Sequence, residues 1–257
     1  MSRSAIEHHL FKKGLTLDTI IDKLKQMDSE STYVLWSSYI DGLGSDSSDI
    51  DVYQICMDKK HKSAKLINVE NITLDIEQLD IDLIEEITKR LKNFSEDNEL
   101  DRFISIEKLK IMYRLKKGYL ISFSNQKYPY FLDEIDFSTI CKAISHTCYL
   151  EYISDYNDAL RFYKEKNYKD AHFLGLTALY KSLGVFCANQ GKPMVKMKWY
   201  YRVFESILGR DHELVTNYWN VQNISSIEDL KNTIESLLKL SQRIIIESTC
   251  LKGGERV

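Results

Sequence analysis

The chain is poor in turn residues. Its 257 residues include 10 Gly and 2 Pro, where average usage would give roughly 18 and 13. An all-β sandwich needs such residues at every turn, so the scarcity excludes that class and predicts mostly helix. No run of 18 apolar residues occurs, so no membrane span is expected. A positive-then-apolar leader pattern is also missing from the start of the chain. Neither charge dominates: 35 Lys+Arg against 38 Asp+Glu leave a net charge of −3 and a pI near 6.1. Nothing in that balance advertises nucleic acid as a partner. The five cysteines, Cys56, Cys141, Cys148, Cys187 and Cys250, are odd in number, scattered and without a C-x-x-C pair. They predict reduced, partly buried thiols in a cytoplasmic protein rather than a disulfide framework.

What is present divides the chain near residue 130. The spacing of Leu17, Ile20, Ile21 and Leu24 predicts a helix over 17–28. Tyr33–Trp36 reads as a short strand. Residues 37–48, SSYIDGLGSDSS, hold five Ser and two of the ten Gly, a loop by composition. A strand pattern follows over 49–56, and further strands are predicted at 65–69, 72–79 and 119–123. Asp80 is placed to cap a helix carrying Ile81, Ile84, Ile87 and Leu91. Another helix, from about Leu100, stops at Gly118, a natural residue after a helix end. Beyond Phe131 every stretch reads as helix: 136–166, 168–189, and a last one opened by the capping-box spacing Ser225-x-x-Glu228. The expected fold class is α+β, with a small mixed-sheet domain over 1–130 and an all-α bundle over 131–257.

The chemistry concentrates where the glycines do. A strand ends at Trp36-Ser37-Ser38, a Ser/Gly loop follows, and the next strand opens with Asp49-Ile50-Asp51. Period-two alternation puts Asp49 and Asp51 on one face. Paired carboxylates suit a hard cation such as Mg²⁺, which keeps phosphate oxygens in its shell. The loop can offer backbone N–H groups and hydroxyls to a polyphosphate. A second triplet, Asp80-Ile81-Asp82, falls at a helix start and has a plain electrostatic role there. On the later strand Asp75 and Glu77 share a face, opposite Leu74 and Ile76, which adds a third acid.

In this order, Ser37-Ser38, ten residues, Asp49-Ile50-Asp51 and then a third acid, the segment resembles the signature of the DNA polymerase β-type nucleotidyltransferase superfamily. The spacing is similar to that of its minimal and antibiotic-modifying members, and the likeness covers roughly residues 17–80. The helical half loosely resembles the bundles of kanamycin-nucleotidyltransferase-like enzymes. The resemblance implies that Ser37, Ser38 and Gly44 meet the triphosphate tail. It implies that Asp49, Asp51 and Asp75 hold two Mg²⁺ ions, with Glu77 the second choice for the third acid. The reaction implied is attack of an acceptor on the α-phosphorus of an NTP, with ATP the expected donor and pyrophosphate leaving. Ser37 stands where the family has Gly, and its Cβ narrows the approach of phosphate to the backbone.

In the helical half, residues 191–202 concentrate cations and aromatics. Lys196, Lys198 and Arg202 are the candidates for phosphate contact there, although solvated lysines beside core aromatics would look the same. Glu151, Asp155, Asp158 and Asp170 are undistinguished candidates for a general base. His172 reads as a core or surface residue, and His8-His9 as part of a frayed terminus. Three readings stay open. One is transfer of NMP to a small-molecule acceptor, such as an antibiotic or biosynthetic intermediate. The second is transfer to a protein or RNA end, although the acidic balance disfavours RNA. The third is a degenerate domain that binds nucleotide or a partner without turnover. A homodimer that completes the cleft is compatible with each.

Overall fold

The computed structural model describes residues 2–56, 64–95, 104–123, 132–193, 196–222 and 229–251. The protein is α+β, and its chain divides into two compact units. Met1–Asn93 and Lys110–Phe137 form the first; Phe94–Leu109 and Ser138–Val257 form the second.

The first unit is built on a five-stranded mixed sheet. Its strands are β1 (Thr32–Trp36), β2 (Ile50–Cys56), β3 (Ala64–Val69), β4 (Ile72–Asp80) and β5 (Tyr119–Ser122), in the order β3-β4-β2-β1-β5. β2 and β4 run parallel, and the other neighbours antiparallel. Helices α1 (Ser2–Lys12) and α2 (Leu17–Met27) supply Ile6, Leu10, Leu17, Ile20 and Leu24. These join Tyr33, Leu35, Ile50, Val52, Leu74 and Ile76 in one buried cluster. Alternation therefore sends Trp36, Asp51, Tyr53, Asp75 and Glu77 to the opposite face.

Local chemistry sets the helix ends. Thr16 caps α2, its hydroxyl accepting from the Thr19 N–H at 3.3 Å. Asp80 caps α3 (Ile81–Lys92) by accepting from Asp82 N–H at 3.0 Å, as its position predicts. Helix α4 (Ile106–Lys117) ends before Gly118. The reason for glycine is close approach rather than a left-handed turn: a Cβ there would lie 2.4 Å from Val34 and 2.8 Å from the Leu35 carbonyl. Gly118 thus lets the α4–β5 junction rest on β1. Residue Leu100, where the sequence placed the start of this helix, lies outside the described residues.

The second unit is helical. It contains the start of α4 together with α5 (Phe137–Lys164, from Ser138 on), α6 (Tyr168–Asn189), α7 (Tyr200–Leu208), α8 (Glu213–Asn220) and α9 (Leu230–Cys250). The expected face of the last helix is buried through Leu230, Ile234, Leu237 and Ile244. Ser225, Ile227 and Glu228 lie outside the described residues. By length and composition α6 is apolar enough to cross a bilayer, beyond what the sequence reading expected. However, 61% of its most apolar stretch is buried, as in the core helix of a soluble protein.

Candidate functional site

The Ser/Gly loop is wound tightly and gripped by α1. Ser37 O accepts from Ile40 N–H at 2.9 Å, and Ser38 O accepts from Leu43 N–H at 2.9 Å. The hydroxyls of Ser38 and Ser48 lie 3.0 Å apart, which ties the two ends of the loop together, and Ser48 Oγ also accepts from Ser45 N–H at 2.9 Å. Gly44 is required by contact: a Cβ there would sit 2.2 Å from the Tyr39 ring. That ring stacks on His9, with centroids 4.4 Å apart, and Lys12 Nζ lies 5.3 Å from its centre. Lys13 donates to the Asp46 carbonyl.

Ser37 and His9 are both fully buried, with Ser37 Oγ 3.0 Å from His9 Nδ1. The Ser37 hydroxyl is therefore used inside the protein, to pin the loop to α1. Burial holds the His9 pKa below its ordinary value, partly offset by the Ser48 backbone and the Asp49 charge. His8 and His9 thus lie within α1, and not in the frayed terminus that their position in the sequence suggests. Ile6 and Leu10, four residues apart, were the available signal that the His9 side of a helix is inward.

Across the sheet, Trp36, Asp51 and Asp75 stand side by side on β1, β2 and β4; Tyr53 and Glu77 form the next row. Asp51 is buried, Asp75 half-buried, and Glu77 and Asp49 exposed. Register on β4 thus selects Asp75, not Glu77, as the carboxylate beside Asp51. Asp51 is engaged by Arg114 of α4: Nη1 donates to Asp51 Oδ1 at 2.8 Å and to the Tyr53 hydroxyl at 2.7 Å. The guanidinium sits 4.3 Å from the Trp36 ring centre, and Arg114 is buried. Burial drives the Tyr53 hydroxyl far above its ordinary pKa, against the pull of Arg114. Nearby, the Tyr113 hydroxyl donates to Asp41 of the loop. Burial raises the Asp41 carboxyl, while Tyr113, Lys117 and Arg114 hold it down.

Arg114 and Tyr53 were not singled out from sequence. The signal was an Arg inside the apolar run Ile111-Met112-Tyr113-Arg114-Leu115, since a charge in such a run needs a buried partner.

These residues do not gather the two-ion arrangement that the resemblance implies. Asp51 faces a buried guanidinium, and among the described residues no three His, Cys, Asp or Glu side chains are grouped to hold a metal. The buried atoms without an acceptor beside Asp51, Arg114 Nε and Nη2 and Trp36 Nε1, are donors.

Lys196, Lys198 and Arg202 belong to the second unit. Lys198 and Arg202 are exposed over Trp199, 4.9 and 5.9 Å from its ring centre. Met194 and Val195 of that segment lie outside the described residues. The candidate bases there are engaged within the unit: Glu151 with Lys181, Asp158 with Arg161 at 3.0 Å, and Asp170 with Asn167. Burial raises the Asp155 carboxyl, and it lowers His172. A polar cleft of about 510 Å³ lies between α8 and α9, lined by Asn217, Asn232, Lys239 and Arg243 among others. It contains none of the residues singled out from sequence.

No family model matches the chain, and no curated protein matches it. Among solved structures it is similar to a nucleotidyltransferase-like protein from Exiguobacterium sibiricum 255-15. The identity is 14%, with 92% of this chain and 75% of that one covered, at a TM-score of 0.49.

Proposed function

We propose that the first unit binds a nucleoside triphosphate at the Ser37–Ser48 loop and transfers its NMP to a small-molecule acceptor. One observation carries this reading: the parallel register that sets Asp75 of β4 beside Asp51, on the strand β2 that opens directly after that loop. Ser38 and the backbone N–H groups of the loop hold the phosphate tail. Asp75, half-buried and next to the site, accepts the proton of the acceptor hydroxyl. The hydroxyl oxygen bonds to the α-phosphorus, the bond to the bridging oxygen breaks, and pyrophosphate leaves. Arg114 supplies fixed positive charge at the row Trp36–Asp51–Asp75. ATP is the donor we expect, with the divalent cation that nucleoside triphosphates carry in solution.

The ion pair Arg114–Asp51 favours a second reading, in which nucleotide is bound without turnover. Incubation with Mg²⁺ and each α-labelled NTP, with and without acceptor pools, separates the two. Label on a small molecule and pyrophosphate release support transfer. Saturable NTP binding with neither of these supports the second reading. Label on a polypeptide or RNA end moves the acceptor to that class. No NTP binding at all would sink both.

A further inference from the structure

Asp51 has a cation built into the fold. Its carboxylate side chain is 10% exposed and that of Arg114 is 2% exposed, with 2.8 Å between Oδ1 and Nη1. Arg114 is held on three sides. The Trp36 ring lies under the guanidinium, the Tyr53 hydroxyl accepts from the same nitrogen as Asp51, and its neighbours Met112, Tyr113 and Leu115 on α4 are buried. Withdrawing Arg114 would leave a buried carboxylate uncompensated, which is strongly unfavourable. Leaving it in place and adding a divalent ion at Asp51 would set two positive charges within a few ångströms where water screens them poorly. Arg114 Nε and Nη2 and Trp36 Nε1 are buried donors beside this pair, so the positive charge is enclosed on the Asp51 side of the sheet.

We propose that Arg114 is the resident cation of this site, so that nucleotide is taken up with one divalent cation, the one its phosphates carry, instead of two. In a two-ion site a second metal, shared by the carboxylates, balances charge on the attacking and leaving oxygens. Here the guanidinium takes that position on Asp51 permanently. Unlike a metal, it cannot exchange or be chelated. The inference rests on the nucleotide-binding reading above.

Counting bound Mn²⁺ by electron paramagnetic resonance tests it, using the full chain saturated with a non-hydrolysable α,β-methylene NTP. One Mn²⁺ per bound nucleotide is expected, and a count of two overturns the inference while leaving nucleotide binding intact. Absence of nucleotide binding overturns the functional reading and the inference with it. In Arg114→Met, Asp51 is released and the count rises to two; a count still at one overturns the inference. Because that variant takes the guanidinium from a buried carboxylate, circular dichroism is recorded alongside. Should it not fold, Asp51→Asn/Arg114→Met replaces the pair by neutral groups of similar size. That chain keeps one Mn²⁺ per nucleotide, whereas loss of the bound Mn²⁺ would identify Asp51 as a ligand and overturn the inference.

Discussion

Ser37 and His9, 28 positions apart in the chain, meet inside the first unit with 3.0 Å between Oγ and Nδ1 and no exposure of either residue. The residue that departs from the resembling family's pattern is thereby absorbed into the packing of α1 on the loop. Ser37→Gly deletes the hydroxyl and leaves the imidazole nitrogen without this partner. We expect a loss of about 1–3 kcal/mol in urea unfolding, typical of an orphaned buried polar atom. An unchanged midpoint would show that the contact is not formed.

The same imidazole makes stability depend on pH. Burial depresses the His9 pKa below 6.5, so over the window just below pH 6.5 the unfolded chain binds more protons than the folded one. Stability is therefore complete above pH 6.5 and falls as the pH drops through the folded value. His172, also lowered by burial, adds to the same slope from the second unit. The groups bearing on His9 are Lys12 at the end of its own helix, Lys13 just after it and Asp49 just before β2; the lysines lower its pKa and Asp49 raises it. Thermal melts between pH 7.5 and 5 should show a shallower decline in His9→Gln than in the parent chain, even if its Tm is lower throughout.

Arg114→Ala should be among the most damaging single substitutions in the protein. It removes one partner of a buried pair, at a cost of about 3–5 kcal/mol. Asp51→Asn/Arg114→Met should lose less than Arg114→Met alone, because no charge is left buried. Denaturant unfolding of both single variants and the double variant gives the coupling energy directly. A coupling near zero would mean that the two groups do not interact.

Gly44→Ala displaces the Tyr39 ring, since the new methyl would start 2.2 Å from it. The His9 stack and the Lys12 contact depend on that ring. We expect about 1–3 kcal/mol of destabilisation, as for overpacking. If the loop binds the phosphates, NTP affinity should fall by a larger factor than it does for a surface control such as Lys239→Ala. Isothermal titration reads both.

Thiol labelling should be ordered by burial. Cys250 is exposed, while Cys148 and Cys187 are buried. Burial holds the Cys148 thiol at about 11 and that of Cys187 higher still, so little thiolate forms at neutral pH. Labelling with a maleimide at pH 7.5, followed by peptide mapping, should find Cys250 modified first and these two only after denaturant is added.

Local pattern was enough to place most elements, because the chain has few turn residues and its apolar spacing changes period cleanly. β1, β2, β4 and the long helices α5, α6 and α9 follow from apolar spacing, and the start of α3 from the Asp80 cap. So does the pairing of Asp75 with Glu77 on one face of β4, since period-two alternation is a property of any strand. What spacing does not carry is who meets whom. Helix α1 went unread because two apolar residues, Ile6 and Leu10, make too weak a stripe, and His9 gains its role only from a loop 28 residues later. Likewise Asp51 reads in sequence as half of a metal pair. Register placed it beside Asp75, but the packing of α4 placed Arg114 against it 63 positions on. The sequence by itself determined the fold class and the position of the acidic strands, through periodicities that short segments carry in full. Only the tertiary structure decided the charge state of the site, because a buried carboxylate is defined by the cation that long-range packing brings to it.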